Sequence, residues 1–293
     1  MVQVRVQHSL APGEREQVTM FLEAARRSGG SRLNDHLASD LARGPREGFL
    51  AAIAFLPDGT VRGYAQASTA NDGVIIGCVT SADDLAAESA LLHALVAAVP
   101  PDIAITWWAG RDDRALAADL GFSPDRRLLR MTRPLPISET TDVTVRPFRI
   151  GRDETAWLEV NNAAFAWHGE QGGWDIATLR QRENEPWFDP AGFLLHERDG
   201  RLAAFCWTKA HPHGEHPRGE IYVIAVHPDF HGHGLGRALT IAGLQHLHSV
   251  GAIRAMLYVD EANTAAVGLY RTLGFTIEHT DHSYQRPARG ATK

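Results

Sequence analysis

One tripeptide recurs at a distance that sets the size of the folding unit. Leu120-Gly121-Phe122 returns as Leu273-Gly274-Phe275, 153 residues on, each time after a helix-like segment and before a strand-like one. That interval has the size of a domain, not of a solenoid repeat, so the 293 residues read as two copies of one domain. Both copies open alike. Val2-Gln3-Val4-Arg5-Val6 precedes a helical stretch at 14–27, and Val143-Thr144-Val145-Arg146 precedes another at 153–165. Pro134, Pro136 and the polar run 138–142 separate them. The expected division is 1–136, a linker at 137–142, and 143–293.

Each copy also contains a hairpin pattern. The apolar runs 49–56 and 61–67 flank Pro57-Asp58-Gly59, and 193–197 and 202–209 flank Arg198-Asp199-Gly200-Arg201. The copies then part. In the second, the strand-like Glu220-Ile221-Tyr222-Val223-Ile224-Ala225-Val226 runs into a loop with Gly232, Gly234 and Gly236, and an amphipathic helix follows with Leu235, Ala238, Leu239 and Ala242 on one face. This layout suits an anion, because glycines let unpaired N–H groups at a helix start approach phosphate oxygens. There is no Gly-Lys-Ser/Thr, and the glycine spacing is not a dinucleotide fingerprint. In the first copy, 74–79 is followed by Ser81-Ala82-Asp83-Asp84-Leu85-Ala86-Ala87-Glu88, with no glycine. Asp83, Asp84 and Glu88 suit a helix start but repel phosphate, so this copy is expected to be catalytically dead, with its site empty.

A net charge of −6 and a pI near 6.2 exclude a general nucleic-acid binder, and no polybasic run opposes this. No apolar stretch has transmembrane length and the start of the chain lacks a signal-peptide or transit pattern, so a cytoplasmic, membrane-free chain is expected; a monomer is the separate expectation for its assembly. The two cysteines, Cys78 and Cys206, sit in separate apolar runs and read as buried reduced thiols.

The strand, the Val-x-Pro and the x-x-Gly-x-Gly that follow resemble the coenzyme A pyrophosphate loop of the GCN5-related N-acetyltransferases (GNAT). Asn263-x-x-Ala266-x-x-x-Tyr270-x-x-Leu273-Gly274-Phe275 resembles a second signature of the same family. Two signatures in order, separated by a helix and a strand, are far more specific than a glycine loop alone. The resemblance implies an α/β (α+β) chain of two tandem acetyltransferase domains, each a mixed, mostly antiparallel twisted sheet flanked by helices. It implies acetyl-CoA as co-substrate and no metal. The residues it places on acetyl-CoA are Ile224, Ala225 and Val226 at the strand end, then His231, Gly232, His233, Gly234, Leu235, Gly236 and Arg237. Asn263, Thr264, Ala265, Ala266, Val267 and Gly268 complete them. His231 stands where the family usually has Gln or Arg. A protonated His231 would supply positive charge, with weaker cofactor binding at high pH.

Acetyl transfer to an amine needs a deprotonated amine, a site for the tetrahedral oxyanion and a proton for the departing thiolate. Glu220 suits the first task and Tyr270 the last, while the family's oxyanion donor, a backbone N–H near the strand end, falls at Val226. An α-amine titrates at roughly 8 and a thiol at roughly 8.5, so neither proton transfer demands an extreme pKa. The alternatives are a solvated strand-start charge for Glu220 and a core aromatic for Tyr270. Two histidine groups, His211, His213 and His216, and His227, His231 and His233, lack metal-ligand order and read as solvated loop residues.

Asn161 to Trp174, read as NNAAFAWHGEQGGW, with Trp187-Phe188-Asp189-Pro190-Ala191-Gly192 and Phe205-Cys206-Trp207-Thr208-Lys209-Ala210-His211, is similar to the mycothiol synthase family. That family consists of tandem acetyltransferases that acetylate the cysteinyl amine of cysteinyl-glucosaminyl-inositol. Gly169 departs from its usual proline. By this resemblance Glu170, Lys209, Glu220 and Tyr258 contact the acceptor, joined by Asp35 from the first domain, although Asn34-Asp35 also suits a helix cap. A polar pseudodisaccharide fits such a lining. The alternative functions are acetylation of another small amine (an aminoglycoside, an amino acid or a protein N-terminus), a non-catalytic acyl-CoA sensor and a histidine-rich metal binder.

Overall fold

A computed structural model describes residues 3–28, 33–44, 47–70, 73–81, 84–166, 171–211 and 217–290, with Asp35 described by its backbone alone. The chain forms two compact units, Met1–Leu128 with Thr280–Lys293, and Leu129–His279.

The first unit contains β1 (Gln3–Gln7), α1 (Pro12–Arg27), α2 (Asp35–Arg43), β2 (Leu50–Phe55), β3 (Val61–Ala70), β4 (Gly73–Thr80), α3 (Leu85–Ala98), β5 (Ile105–Ala109), α4 (Arg114–Asp119) and the start of β6 (Ser123–Pro134). Its sheet runs β1-β2-β3-β4-β5, with only β4 and β5 parallel. The second contains β7 (Arg146–Pro147), α5 (Glu154–Ala164), α6 (Ile176–Glu183), β8 (Phe193–Arg198), β9 (Arg201–His211), β10 (Arg218–Val226), α7 (Leu235–Ser249), β11 (Arg254–Asp260), α8 (Thr264–Thr272) and the start of β12 (Thr276–Arg286). Here the order is β6-β11-β10-β9-β8-β7, and β10 and β11 pair in parallel.

The duplicated tripeptide closes a helix in the same way twice. Gly121 and Gly274 have φ of 77° and 76°, and Phe122 and Phe275 donate their N–H to the carbonyls of Ala117 and Tyr270 at 2.8 and 3.0 Å. Ala117 therefore stands in the first unit where Tyr270 stands in the second. Both hairpins form, and the second turns on Asp199 and Gly200 at φ of 53° and 74°, the left-handed pair that a two-residue hairpin requires.

Two features differ from the sequence reading. The strand of residues 143–146 shrinks to Arg146–Pro147. The expected division at 137–142 is not where the units divide: the break falls between Leu128 and Leu129, and Thr280–Lys293, from the far end of the chain, completes the first unit. There the end of β12 pairs antiparallel with β5, from His282↔Ala109 to Arg286↔Ile105. A strand is held by ladder hydrogen bonds and not by sequence proximity, so a boundary read along the chain misses it.

In the second unit the sheet separates two cores. Ala204, Cys206, Ile221, Ala255, Leu257 and Val259 pack with α7 and α8. Phe205, Trp207, Val223 and Ala225, alternate on the same strands or beyond the irregularity in β10, pack with Trp157 of α5, Leu179 of α6 and Phe193. α7 lies close to the strands because of Gly243. A Cβ there would meet Cys206 Sγ at 2.5 Å and Ile221 Cδ1 at 2.8 Å.

Candidate active site

β10 is interrupted where the chemistry is expected. It pairs with β9 as Ile221↔Thr208 and then Val223↔Trp207, so Tyr222 and Val223 together oppose one residue. This β-bulge shifts the alternation by one. As a result Glu220 and Tyr222 before it, and Val223 and Ala225 after it, all face the aromatic core. The pairing of β10 with β11 ends at Ile221↔Leu257 among the recorded pairs, although the strands continue to Val226 and Asp260. In the first unit β4 keeps an unshifted register with β3 from Gly73↔Ala70 to Thr80↔Gly63.

After Val226 a single 3₁₀ turn, Pro228–Phe230, leads to Gly232 and Gly234, with φ of 81° and 73°. Gly234 is the N-cap of α7 and no side chain caps that helix, so its first N–H groups are left to a ligand or water. Apart from the adjacent residues, no atom of the described residues lies within 4 Å of where a Cβ of either glycine would stand. At Gly236 an added Cβ would make an ordinary contact with Leu269 Cδ2, at 3.7 Å. His231, His233 and Arg237 are exposed and Leu235 is buried, while Ile224 and Val226 are half-buried and Ala225 buried. His231 bends back, its Nε2 3.0 Å from the Val226 carbonyl. On α8, Asn263 Oδ1 accepts from Ala266 N at 3.1 Å; Thr264, Ala265 and Gly268 are exposed, Ala266 is half-buried and Val267 is buried.

The matching helix of the first unit is closed by its own anion. Asp84 caps α3 by accepting from Ala87 N at 3.1 Å and also pairs with Arg62. That pairing holds its carboxyl below the usual range. Glu88 pairs with Arg111, which also reaches Asp113 at 2.8 Å, yet burial leaves the Glu88 carboxyl raised. Sequence reading found the acids and missed the two arginines, because Arg62 and Arg111 reach them only through the fold. Asp83 lies outside the described residues.

Three of the expected acceptor residues share one face. Glu220 and Lys209 are cross-strand partners, each 8% exposed. Glu220 is in register with Met256, so Tyr258, two residues along β11, projects to the same side. The Lys209 ammonium lies over the rings of Trp187 and Tyr222, 4.5 and 5.4 Å from their centroids. Trp207 stands edge-on to Tyr222 at 5.3 Å. The result is a buried carboxylate and a buried ammonium against aromatic walls, a surface suited to a polar molecule with ring faces. Glu170 lies outside the described residues, as does the side chain of Asp35.

Tyr270 belongs to the other core, 7% exposed. Burial, and secondarily the nearby Cys206 thiol, raise its pKa well above the ordinary tyrosine value. Glu220 and Tyr270 thus belong to the two cores on either side of the sheet, where β10 and β11 stop pairing.

One histidine departs from the expectation of solvated loops. His211 is not in a loop but closes β9, and its Nε2 lies 2.9 Å from Glu220 Oε2. Strand-like alternation continuing through Lys209 to His211 was the available signal. His213 and His216 lie outside the described residues, among which no three His, Cys, Asp or Glu side chains are grouped to hold a metal. Cys78 and Cys206 are both free thiols. No helix among the described residues is long and apolar enough to cross a membrane.

Residues 157–275 match the acetyltransferase (GNAT) family. The chain is 45% identical to a mycothiol acetyltransferase of Thermomonospora curvata, over 92% of this chain and 93% of that one. It is 43% identical to one of Thermobispora bispora, over 97% and 99%. Among solved structures, a GCN5-related N-acetyltransferase from Sphaerobacter thermophilus superposes with a TM-score of 0.69 at 18% identity, over 99% of this chain and 97% of that one. A tandem GNAT protein from the clavulanic acid biosynthesis pathway gives 0.68 at 15%, over 99% and 100%. At such identities the structural matches speak for the fold alone.

Proposed function

The chain belongs to the mycothiol acetyltransferase family, and on that premise we propose that its second unit transfers the acetyl group of acetyl-CoA to the cysteinyl amine of cysteinyl-glucosaminyl-inositol, giving mycothiol. The observation that carries the reading is the buried carboxylate of Glu220, at the end of the paired region of β10 and β11 and upstream of an uncapped, glycine-bounded helix start.

In this reading the pyrophosphate lies on the N–H groups that open α7, where Gly232 and Gly234 leave room. The acceptor lies on the aromatic face, with Lys209 and Tyr258 toward its hydroxyls. Glu170 and Asp35 remain proposed acceptor contacts on the strength of the family resemblance. Glu220 takes a proton from the ammonium. The amine nitrogen then bonds to the thioester carbon, and the oxygen's charge is met by the Val226 N–H. As the adduct collapses the C–S bond breaks, the nitrogen gives its remaining extra proton to solvent, and the leaving sulfur meets the Tyr270 hydroxyl and is protonated from solvent on release. Most of the acceleration comes from holding amine and thioester together.

The test is turnover of cysteinyl-glucosaminyl-inositol against a panel of small amines, with Glu220→Gln beside the wild type. Turnover of the conjugate is expected to exceed that of the panel. The variant should lose about 10²–10⁴ in kcat with acetyl-CoA affinity nearly unchanged. No turnover of the conjugate would sink the acceptor assignment.

A further inference from the structure

The carboxylate assigned above as proton acceptor is held by a side chain that has no role in that scheme. His211 is the last residue of β9, and its Nε2 is 2.9 Å from Glu220 Oε2. The register pairs Arg218 with His211 and Lys209 with Glu220, so the imidazole reaches the carboxylate along the diagonal of the strand pair, on the same face. The Glu220 side chain is 10% exposed and that of His211 27%.

A carboxylate removed from water needs donors to remain charged, and a general base must also present an oxygen to the proton it takes. A single donor on Oε2 serves both needs. It offsets part of the desolvation and, because an imidazole is planar with its N–H in a fixed direction, it sets the plane of the carboxylate. Without His211, Glu220 could rotate about its last torsion, which is broad for a terminal carboxylate.

We propose that His211 is the positioning residue of Glu220: with its proton on Nε2 it donates to Oε2 and so aims Oε1 at the acceptor amine. This rests on Glu220 being the proton acceptor. No proton leaves His211 in the cycle; the amine proton goes to Glu220 and from there to solvent as product departs.

The experiment compares kcat, and KM for both substrates, in wild type, His211→Ala, His211→Gln, His211→Asn, Glu220→Gln and the double variant His211→Ala with Glu220→Gln. Loss of aim should lower kcat about 10- to 100-fold in His211→Ala, leaving KM for acetyl-CoA unchanged. Gln carries an amide N–H near the position of Nε2 and should restore most of the rate, whereas the shorter Asn should not. In the Glu220→Gln background, His211→Ala should cost nothing further, because its effect passes through the carboxylate. A merely structural histidine would give additive losses and no rescue by Gln, and either result overturns the proposal. So does full activity in His211→Ala when Glu220→Gln is slow. If Glu220→Gln keeps its turnover, the base assignment itself fails, which is a different outcome. Should His211→Ala not fold, the contrast between Gln and Asn decides alone, and equal rates in the two refute the role.

Discussion

Burial decides what Tyr270 can contribute. Its pKa is raised well above the ordinary value, and a group whose folded-state pKa is raised keeps its proton through and beyond the neutral range. A thiol titrates at roughly 8.5, so complete transfer of that proton to the departing sulfur is uphill. In the proposed mechanism the hydroxyl would therefore act as a hydrogen-bond donor to the thiolate as it forms, and not as the ordinary acid expected from sequence. Tyr270→Phe keeps the packing against Phe275, whose ring centroid is 5.8 Å away, and removes only the hydroxyl. It should lower kcat about 10²-fold at neutral pH with an unchanged melting temperature. A loss of both would mean that Tyr270 is chiefly a core residue. Tyr270 and Glu220 were legible in the sequence because each lies in or beside a signature. His211 closes the stretch similar to the mycothiol synthase family, but its contact with Glu220 was not legible, since the register of β9 against β10 belongs to the fold.

The glycines of β10–α7 divide by task. Gly232 and Gly234 set the turn, whereas Gly243 sets the distance between α7 and the sheet. Alanine in a helix is ordinarily better than glycine by up to about 1 kcal/mol. At Gly243 the added methyl would meet Cys206 Sγ at 2.5 Å and Ile221 Cδ1 at 2.8 Å, both in a packed core. Overpacking of this kind costs about 1–3 kcal/mol. Gly243→Ala should therefore lower stability in denaturant titrations; a gain would show that α7 can move away from the sheet without penalty. The helix starts tell a complementary story. Asp84 at the head of α3 was readable as a cap, but its neutralisation by Arg62 belongs to the folded unit. The bulge at Tyr222 has no signature either. Glu220 to Val226 reads as an unbroken strand, and only the partner register on β9 exposes the extra residue.

The two units are unequal descendants of one plan. In the first, β4 has no register shift, α3 carries its own anion, and Ala117 occupies the position of Tyr270. One acetyl-CoA per chain is therefore expected in a calorimetric titration, and a stoichiometry of two would show that the first unit still binds it. The duplication, the hairpins, the helix ends and the glycine turn were written in the sequence, because each depends on local backbone preferences or on a spacing along the chain. The tertiary structure decided which strand completes the first unit, where β10 breaks its alternation, which arginines face the acids of α3, and that His211 grips Glu220. These depend on partners distant in sequence, which are chosen by ladder hydrogen bonds and by the burial of charge and not by any neighbour in the chain.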